Sequence, residues 1–226
     1  MDMYPLYNSI RIAFISTAVV LVLGVAAAYF VVRLPKYIKG IFDSLFTLPL
    51  VLPPTVVGYL LLLVLGPKRP VGAWFLNVFG IRFTMNWWSA VFATVIIIFP
   101  LMYRTSRGAF EAFDGTYEQV GQTLGLSAPY IFFRIVLPCC KRGIIAGVVL
   151  SFARALGEYG ATMMISGYIP GRTATISTTV YQMWRTGNDV LALKWVLINI
   201  AISMVILMAI NIVEGRQINV RIKGRA

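Results

Sequence analysis

Histidine is absent from this chain of 226 residues, and only eight carboxylates stand against twenty lysines and arginines. Without imidazole, and with its few acidic residues scattered, the chain is expected to build no metal site. The same absences remove Ser/His, Cys/His and paired-carboxylate arrangements, so covalent catalysis by this chain is not expected. The two cysteines, Cys139 and Cys140, are adjacent. Neighbours seldom reach disulfide geometry without strain, and they read as two small apolar residues. No Gly-Lys dipeptide occurs, which excludes the phosphate loop G-x-x-x-x-G-K-[ST]. The chain is therefore expected to hold no cofactor and to be no enzyme on its own.

Charge as a whole is scarce. Charged residues make up 12% of the chain, about half the share in ordinary soluble proteins, while 59% is hydrophobic and the mean hydropathy is +0.81. Several apolar runs reach the roughly 20 residues that cross a bilayer as a helix. An all-α polytopic membrane protein is the expected class, because a soluble bundle would need a polar face on each helix and these runs lack one. Five spans are read at about 9–32, 44–65, 87–103, 143–165 and 192–213. The first has no basic region before it and is too long for a secretory leader, so it reads as a retained span.

The basic residues then set an orientation. Arg33, Lys36, Lys39, Arg104, Arg107, Arg134, Lys141, Arg142, Arg216, Arg221, Lys223 and Arg225 fall on one side of this arrangement. Only Arg11, Lys68, Arg69, Arg82, Arg172, Arg185 and Lys194 fall on the other. The richer side should be cytoplasmic. The N-terminus is then outside, and residues 214–226 form a basic cytoplasmic tail. The formal net charge of +12 is largely this bias, so nucleic acid is not an expected partner. All five tryptophans, at 74, 87, 88, 184 and 195, fall at the outer side, where an indole suits the membrane interface.

The largest cytoplasmic connection, 104–142, contains EQVGQTLGLSAPYIFFRIVLP at 118–138. A helical stretch stops at Gly125. Ser127 can cap a new helix with Pro129 in its first turn, and Leu137–Pro138 marks a bend before the next span. Helix, glycine turn and helix make a compact knob. It suits either the groove of a cytoplasmic partner or packing against its own protein.

This spacing resembles the cytoplasmic signature of type I ABC importer permeases: EAA, three residues, Gly, nine residues, Ile, one residue, Leu-Pro. Here Gln119, Val120 and Gly121 stand in place of EAA, with Glu118 one position early; Gly125, Ile135, Leu137 and Pro138 match. LPLVLPPTVVGYLLL at 48–62 and SFARALGEYGATMMISGYIPGRTATI at 151–176 are similar to the molybdate permeases. The resemblance covers about residues 8–213 and implies one transmembrane domain. It implies that Glu118, Gln119, Val120, Gly121, Gly125, Leu126, Ile135, Leu137 and Pro138 form a coupling segment that docks on an ATPase. It further implies a permease homodimer in a prokaryotic cytoplasmic (inner) membrane, an ABC ATPase dimer holding ATP and Mg, and an external molybdate-binding protein. The cargo would be molybdate or tungstate, with sulfate as an alternative oxyanion.

Candidate path residues come from polar features inside the spans. Pro49, Pro53 and Pro54 remove N–H donors, so the carbonyls they free need protein or a polar path beside them. Gly143, Gly147, Ser151 and Ala155 form a stripe of small residues that permits close helix packing. Beside it stand Arg154 and Glu158, four residues apart. Each charge costs roughly 2.5–3.5 kcal/mol at the bilayer centre, so the two should pair and avoid lipid. Pro53, Pro54, Thr55, Ser151, Arg154 and Glu158 are thus candidates for a translocation path, or for a neutralised pair that orients helices. An ion-driven carrier using Glu158 and a membrane scaffold stay open as other classes. The outer segments 66–86 and 166–191 have room for short helices, and the second is rich in hydroxyls that suit an external docking surface.

Overall fold

The computed structural model describes residues 2–223, with side chains placed for residues 2–208. Its regular structure is helical throughout the described residues. Helix α1 covers Tyr4–Val32, α2 Lys36–Val51, α3 Pro54–Leu65, α4 Pro70–Phe79 and α5 Trp87–Glu111. The short helices α6 (Thr116–Thr123) and α7 (Ala128–Ile131) follow. A single π turn at Phe132–Val136 leads into α8 (Leu137–Leu156). Then come α9 (Gly160–Ser166), α10 (Ile176–Arg185) and α11 (Asp189–Lys223).

Helix α5 is the hub and touches α1, α2, α3, α8 and α9. Small residues bring these axes close. A methyl group on Gly24 would lie 2.9 Å from the Met102 side chain, and one on Gly143 would lie 2.6 Å from Ala109 Cβ. Gly143 and Gly147 of the stripe thus seat α8 on α5 within one chain. The core between them holds Ile98, Met102 and Tyr103, all fully buried.

The span boundaries differ from the sequence reading in a consistent way. The run at 44–65 is not one span: α2 and α3 meet at 109° across Leu52–Pro53. Two adjacent prolines, Pro53 and Pro54, lack the N–H groups that would have continued α2. The run at 143–165 is likewise two helices, ending at Leu156 and restarting at Gly160. By contrast, α5 continues to Glu111, and the helix from Ala128 runs on into α8. Most of the connection 104–142 is therefore extension of its flanking spans, with α6 as the inserted piece. The bend expected at Pro138 is instead the π turn before it. Pro138 offers no N–H to the carbonyl of Arg134 and crowds it, and the Leu137 N–H reaches back to Phe132 O. Four helices are long and apolar enough to span a membrane, or five if the bent pair counts as one. The outer segments do contain short helices, α4 and α10. Trp195 departs from the interfacial expectation, being only 2% exposed. The expected tail at 214–226 has its side chains outside the described residues.

Candidate functional site

The two broken spans meet each other. Glycines on both sides let the chains touch: a methyl on Gly58 would fall 2.8 Å from Ala161 Cα, and one on Gly160 would fall 3.1 Å from Pro54 Cβ and Thr55 N. Helices α3 and α9 consequently cross at near-backbone contact. The proline break and the 157–159 break lie side by side, so Pro53, Pro54 and Thr55 adjoin the segment that carries Glu158. At this junction Pro53 and Thr55 are exposed on the single chain and Pro54 is half-buried.

Glu158 does not continue the helix that carries Arg154; it sits just beyond it, at the break. Its Oε1 accepts the Ala161 N–H at 2.9 Å, which satisfies one free donor of α9. Its Oε2 lies 2.9 Å from Arg154 Nη1, off the hydrogen-bonding direction, so this contact is an ion pair without a hydrogen bond. The carboxylate is 1% exposed, whereas the Arg154 side chain is 37% exposed. The anion is locked in and the cation keeps an open side. Beside Glu158 is a cavity of about 10 Å³ bounded by Ser9, Thr94, Thr162 and Thr175, sized for about one water. Polar residues from α1, α5, α9 and the segment before α10 thus border the same small cavity as Glu158. Ser151 is fully buried and does not share the open side of Arg154.

The second candidate region is the knob around α6. Helix α6 ends in a Schellman turn: Gly125 has φ +75°, its N–H bonds Gln122 O at 2.9 Å, and Leu126 N–H bonds Gly121 O at 3.1 Å. Gly121 is buried against Ile131 and Ile135, and a methyl there would come within 3.1 Å of Ile131 Cγ1. Gly125 and Ile135 of the signature, with Gly121 in the place of its last Ala, are therefore what folds α6 back on the π turn. Ser127 occupies the cap position of α7, but its side chain makes no capping bond. Leu126, Ile135 and Leu137 are half-buried, while Gln119, Val120 and Pro138 are exposed.

Glu118 faces inward. Arg33 Nη2 donates to both its carboxylate oxygens, at 2.7 and 2.9 Å, and the guanidinium stacks 3.4 Å over Tyr29. Tyr29 in turn packs against Phe132 and Phe110, with ring centroids 4.4 and 5.6 Å away. The end of α1 thereby holds the knob. The free surface of α6 is the opposite stripe, Tyr117, Val120 and Leu124, which are 60%, 53% and 72% exposed. Sequence reading missed Tyr117 and Leu124, although their i, i+3, i+7 spacing with Val120 was there to see.

These features are those of a helical membrane permease of the ABC importer type. Residues 20–218 match the family described as "Binding-protein-dependent transport system inner membrane component", and the chain belongs to that family. It is 41% identical over 201 residues to the molybdenum transport system permease protein ModB of Escherichia coli (strain K12), covering 88% of each chain. It is 36% identical over 207 residues to the putative molybdenum transport system permease protein YvgM of Bacillus subtilis (strain 168), covering 92% of this chain and 91% of that one. Among solved structures, a bacterial ABC transporter for import of the acidic polysaccharide alginate has the same fold, with a TM-score of 0.77 at 18% identity over 95% of this chain and 79% of that one. The methionine ABC transporter MetNI aligns with a TM-score of 0.68 at 11% identity, over 91% and 90% of the two chains. Within the type I ABC importer permeases, the chain is most like those for molybdate.

Proposed function

We propose that this chain forms the membrane path of an ATP-driven importer of molybdate or the similar tungstate. The observation that carries the reading is the 41% identity to the Escherichia coli molybdenum permease over nearly the full length of both proteins. The path is built by two copies of the chain. The Pro53–Thr55 break needs a protein or water neighbour at membrane depth. Helix α2 buries none of its residues within one chain, which leaves a face for the second copy. Arg154, with its open side, supplies the cation an oxyanion meets, and Glu158 keeps that attraction weak enough for release. The exposed stripe of α6 docks on a separate ABC ATPase, which holds ATP and Mg. ATP binding and hydrolysis there swing α6, with α1 and α8 attached, and open the path alternately to each side. The hydroxyl-rich outer segment around α10 receives an external binding protein. The membrane is the cytoplasmic (inner) membrane of a prokaryote, with the N-terminus outside and the C-terminus inside.

An ion-driven carrier using Glu158 is the weaker reading, since its carboxylate oxygens are already engaged by the α9 backbone and by Arg154. The deciding experiment is uptake by proteoliposomes holding the permease, its ATPase and the binding protein. Molybdate or tungstate uptake that requires ATP and is insensitive to a proton ionophore is expected. Uptake that persists without ATP and collapses with the proton gradient would replace this reading with the carrier. A clear preference for sulfate would move the cargo, not the mechanism.

A further inference from the structure

At the end of the molecule opposite the knob, a groove of about 980 Å³ runs down between α1 and α5. Its walls are Val19 and Leu23 from α1 and Val91, Phe92 and Val95 from α5. From Trp87 to Val95 it descends about 12 Å along α5. Its upper rim is polar, with Arg82, Asn86 and Arg172. Asn86 holds the two arginines together: its Nδ2 donates to Arg82 O at 2.8 Å, and its Oδ1 accepts from Arg172 Nη2 at 2.8 Å. Beside them Trp87 and Trp88 stack at 3.8 Å, and Trp88 is 62% exposed. Among the described residues neither arginine meets a carboxylate, since the ion pairs there are elsewhere.

We infer that this groove binds one anionic phospholipid, with an acyl chain along Leu23 and Val95 and the phosphate between Arg82 and Arg172. The walls are apolar at the depth where acyl chains lie, and the rim is cationic at the depth of headgroups. A guanidinium group matches phosphate oxygens in charge and in planar, forked geometry, and two arginines line this rim, with Arg82 Nε donating to Thr84 Oγ1 at 3.4 Å. A second copy of the chain has less to offer the rim. The sequence carries only Asp2 and Asp189 as carboxylates in the segments at this end, and Asp2 already accepts the Tyr4 N–H at 3.0 Å. The inference needs only that the chain spans a membrane, and it stands or falls apart from the identity of the cargo.

The test is native mass spectrometry of the full permease released from membranes and titrated with phosphatidylglycerol or phosphatidylcholine. One retained phosphatidylglycerol per chain is expected, with little retention of phosphatidylcholine. Each of Arg82→Gln and Arg172→Gln should weaken phosphatidylglycerol about fivefold, and the double variant roughly thirtyfold. The double lysine variant should recover part of the loss, which separates charge from folding. Val91→Trp, which fills the groove and spares the arginines, should also release the lipid; full retention would overturn the acyl-chain half of the inference. Displacement by millimolar inorganic phosphate would show a free-anion site instead. Equal retention of both lipids, unchanged retention in the double glutamine variant, or efficient cross-linking of Leu23→Cys between two copies would each overturn the proposal.

Discussion

The two ends of the molecule are fastened by different chemistry. At the knob end the fastenings are charged and partly wet. Arg33 pairs with Glu118, Lys39 with Glu111, and Arg107 with both Asp43 and Glu111. At the other end three neutral bonds are directed at backbone, two of them buried. Asn8 Nδ2 donates to Ala174 O at 2.9 Å, Ser9 Oγ accepts from Ile176 N–H at 2.9 Å, and Tyr4 Oη donates to Arg172 O at 2.7 Å. Backbone-directed bonds fix a segment in one register, whereas exposed ion pairs are weak and screened by salt. The outer segment is thus set rigidly on α1, while the knob is held by contacts that can be exchanged. That division suits a part that must present a constant surface and a part that must move.

The largest effect expected from this contrast is at Asn8, which is 1% exposed. Asn8→Ala leaves the Ala174 carbonyl without its donor and should destabilise the protein by about 1–3 kcal/mol, unchanged between low and high salt. Thermal unfolding of the purified permease measures it. A loss below about 0.5 kcal/mol would mean that water replaces the amide and that the outer end is no more rigid than the knob. Next comes Gly125→Val. A β-branched residue at φ +75° costs about 1–2 kcal/mol locally and should unwind the end of α6. Co-purification of the ATPase and uptake should fall together while overall stability changes little. If both stay at the level of the parent protein, α6 is not the coupling element.

These expectations also show how far the sequence was readable. Gly125 and Ile135 could be found from spacing because each serves a local shape: one left-handed turn and one close contact, the latter with Gly121. The pairing of Arg154 with Glu158 was legible for the same reason, being four residues apart. Long-range partners were not. Nothing near Glu118 in the chain announces Arg33, 85 residues earlier, so the inward ion pair of Glu118 was not legible. The breaks were half legible: Pro53 and Pro54 announced one, but their 109° turn depends on α9 crossing at Gly58. At 157–159 no proline marks the stop. Gly157 and Gly160 flank Glu158 and permit bending there, but the bond from Ala161 N–H to Glu158 is what the sequence did not show. Trp195 misled because tertiary burial decides its place, and composition cannot report that.

A smaller effect tests the exchangeable nature of the knob's fastening directly. A double-mutant cycle on Arg33→Gln and Glu118→Gln should give a coupling of about 0.2–1 kcal/mol, because the side chains are 40% and 27% exposed. The coupling should shrink as salt rises, in contrast to Asn8. A salt-independent coupling above that range would show the pair to be shielded and the knob as rigid as the outer end.

The smallest effect concerns acid. The Lys39 ammonium bonded to Glu111, reinforced by Arg107, holds the Glu111 carboxyl below the ordinary glutamate value. For a group whose folded value is lowered, the stabilisation is complete above the ordinary value and is lost as pH falls through the folded one. Near neutral pH nothing changes; the loosening of α2 from α5 should appear only on acidification below about pH 4.5. Because Glu111 is 38% exposed, the gain is screened and should stay under about 0.5 kcal/mol. Amide exchange across residues 36–43 and 104–111, followed from pH 6 downward with its intrinsic acid dependence removed, reads it. Glu111→Gln should flatten the profile at this end and leave residues 172–178 unaffected. Equal acid sensitivity at both ends would erase the difference between charged and neutral fastening.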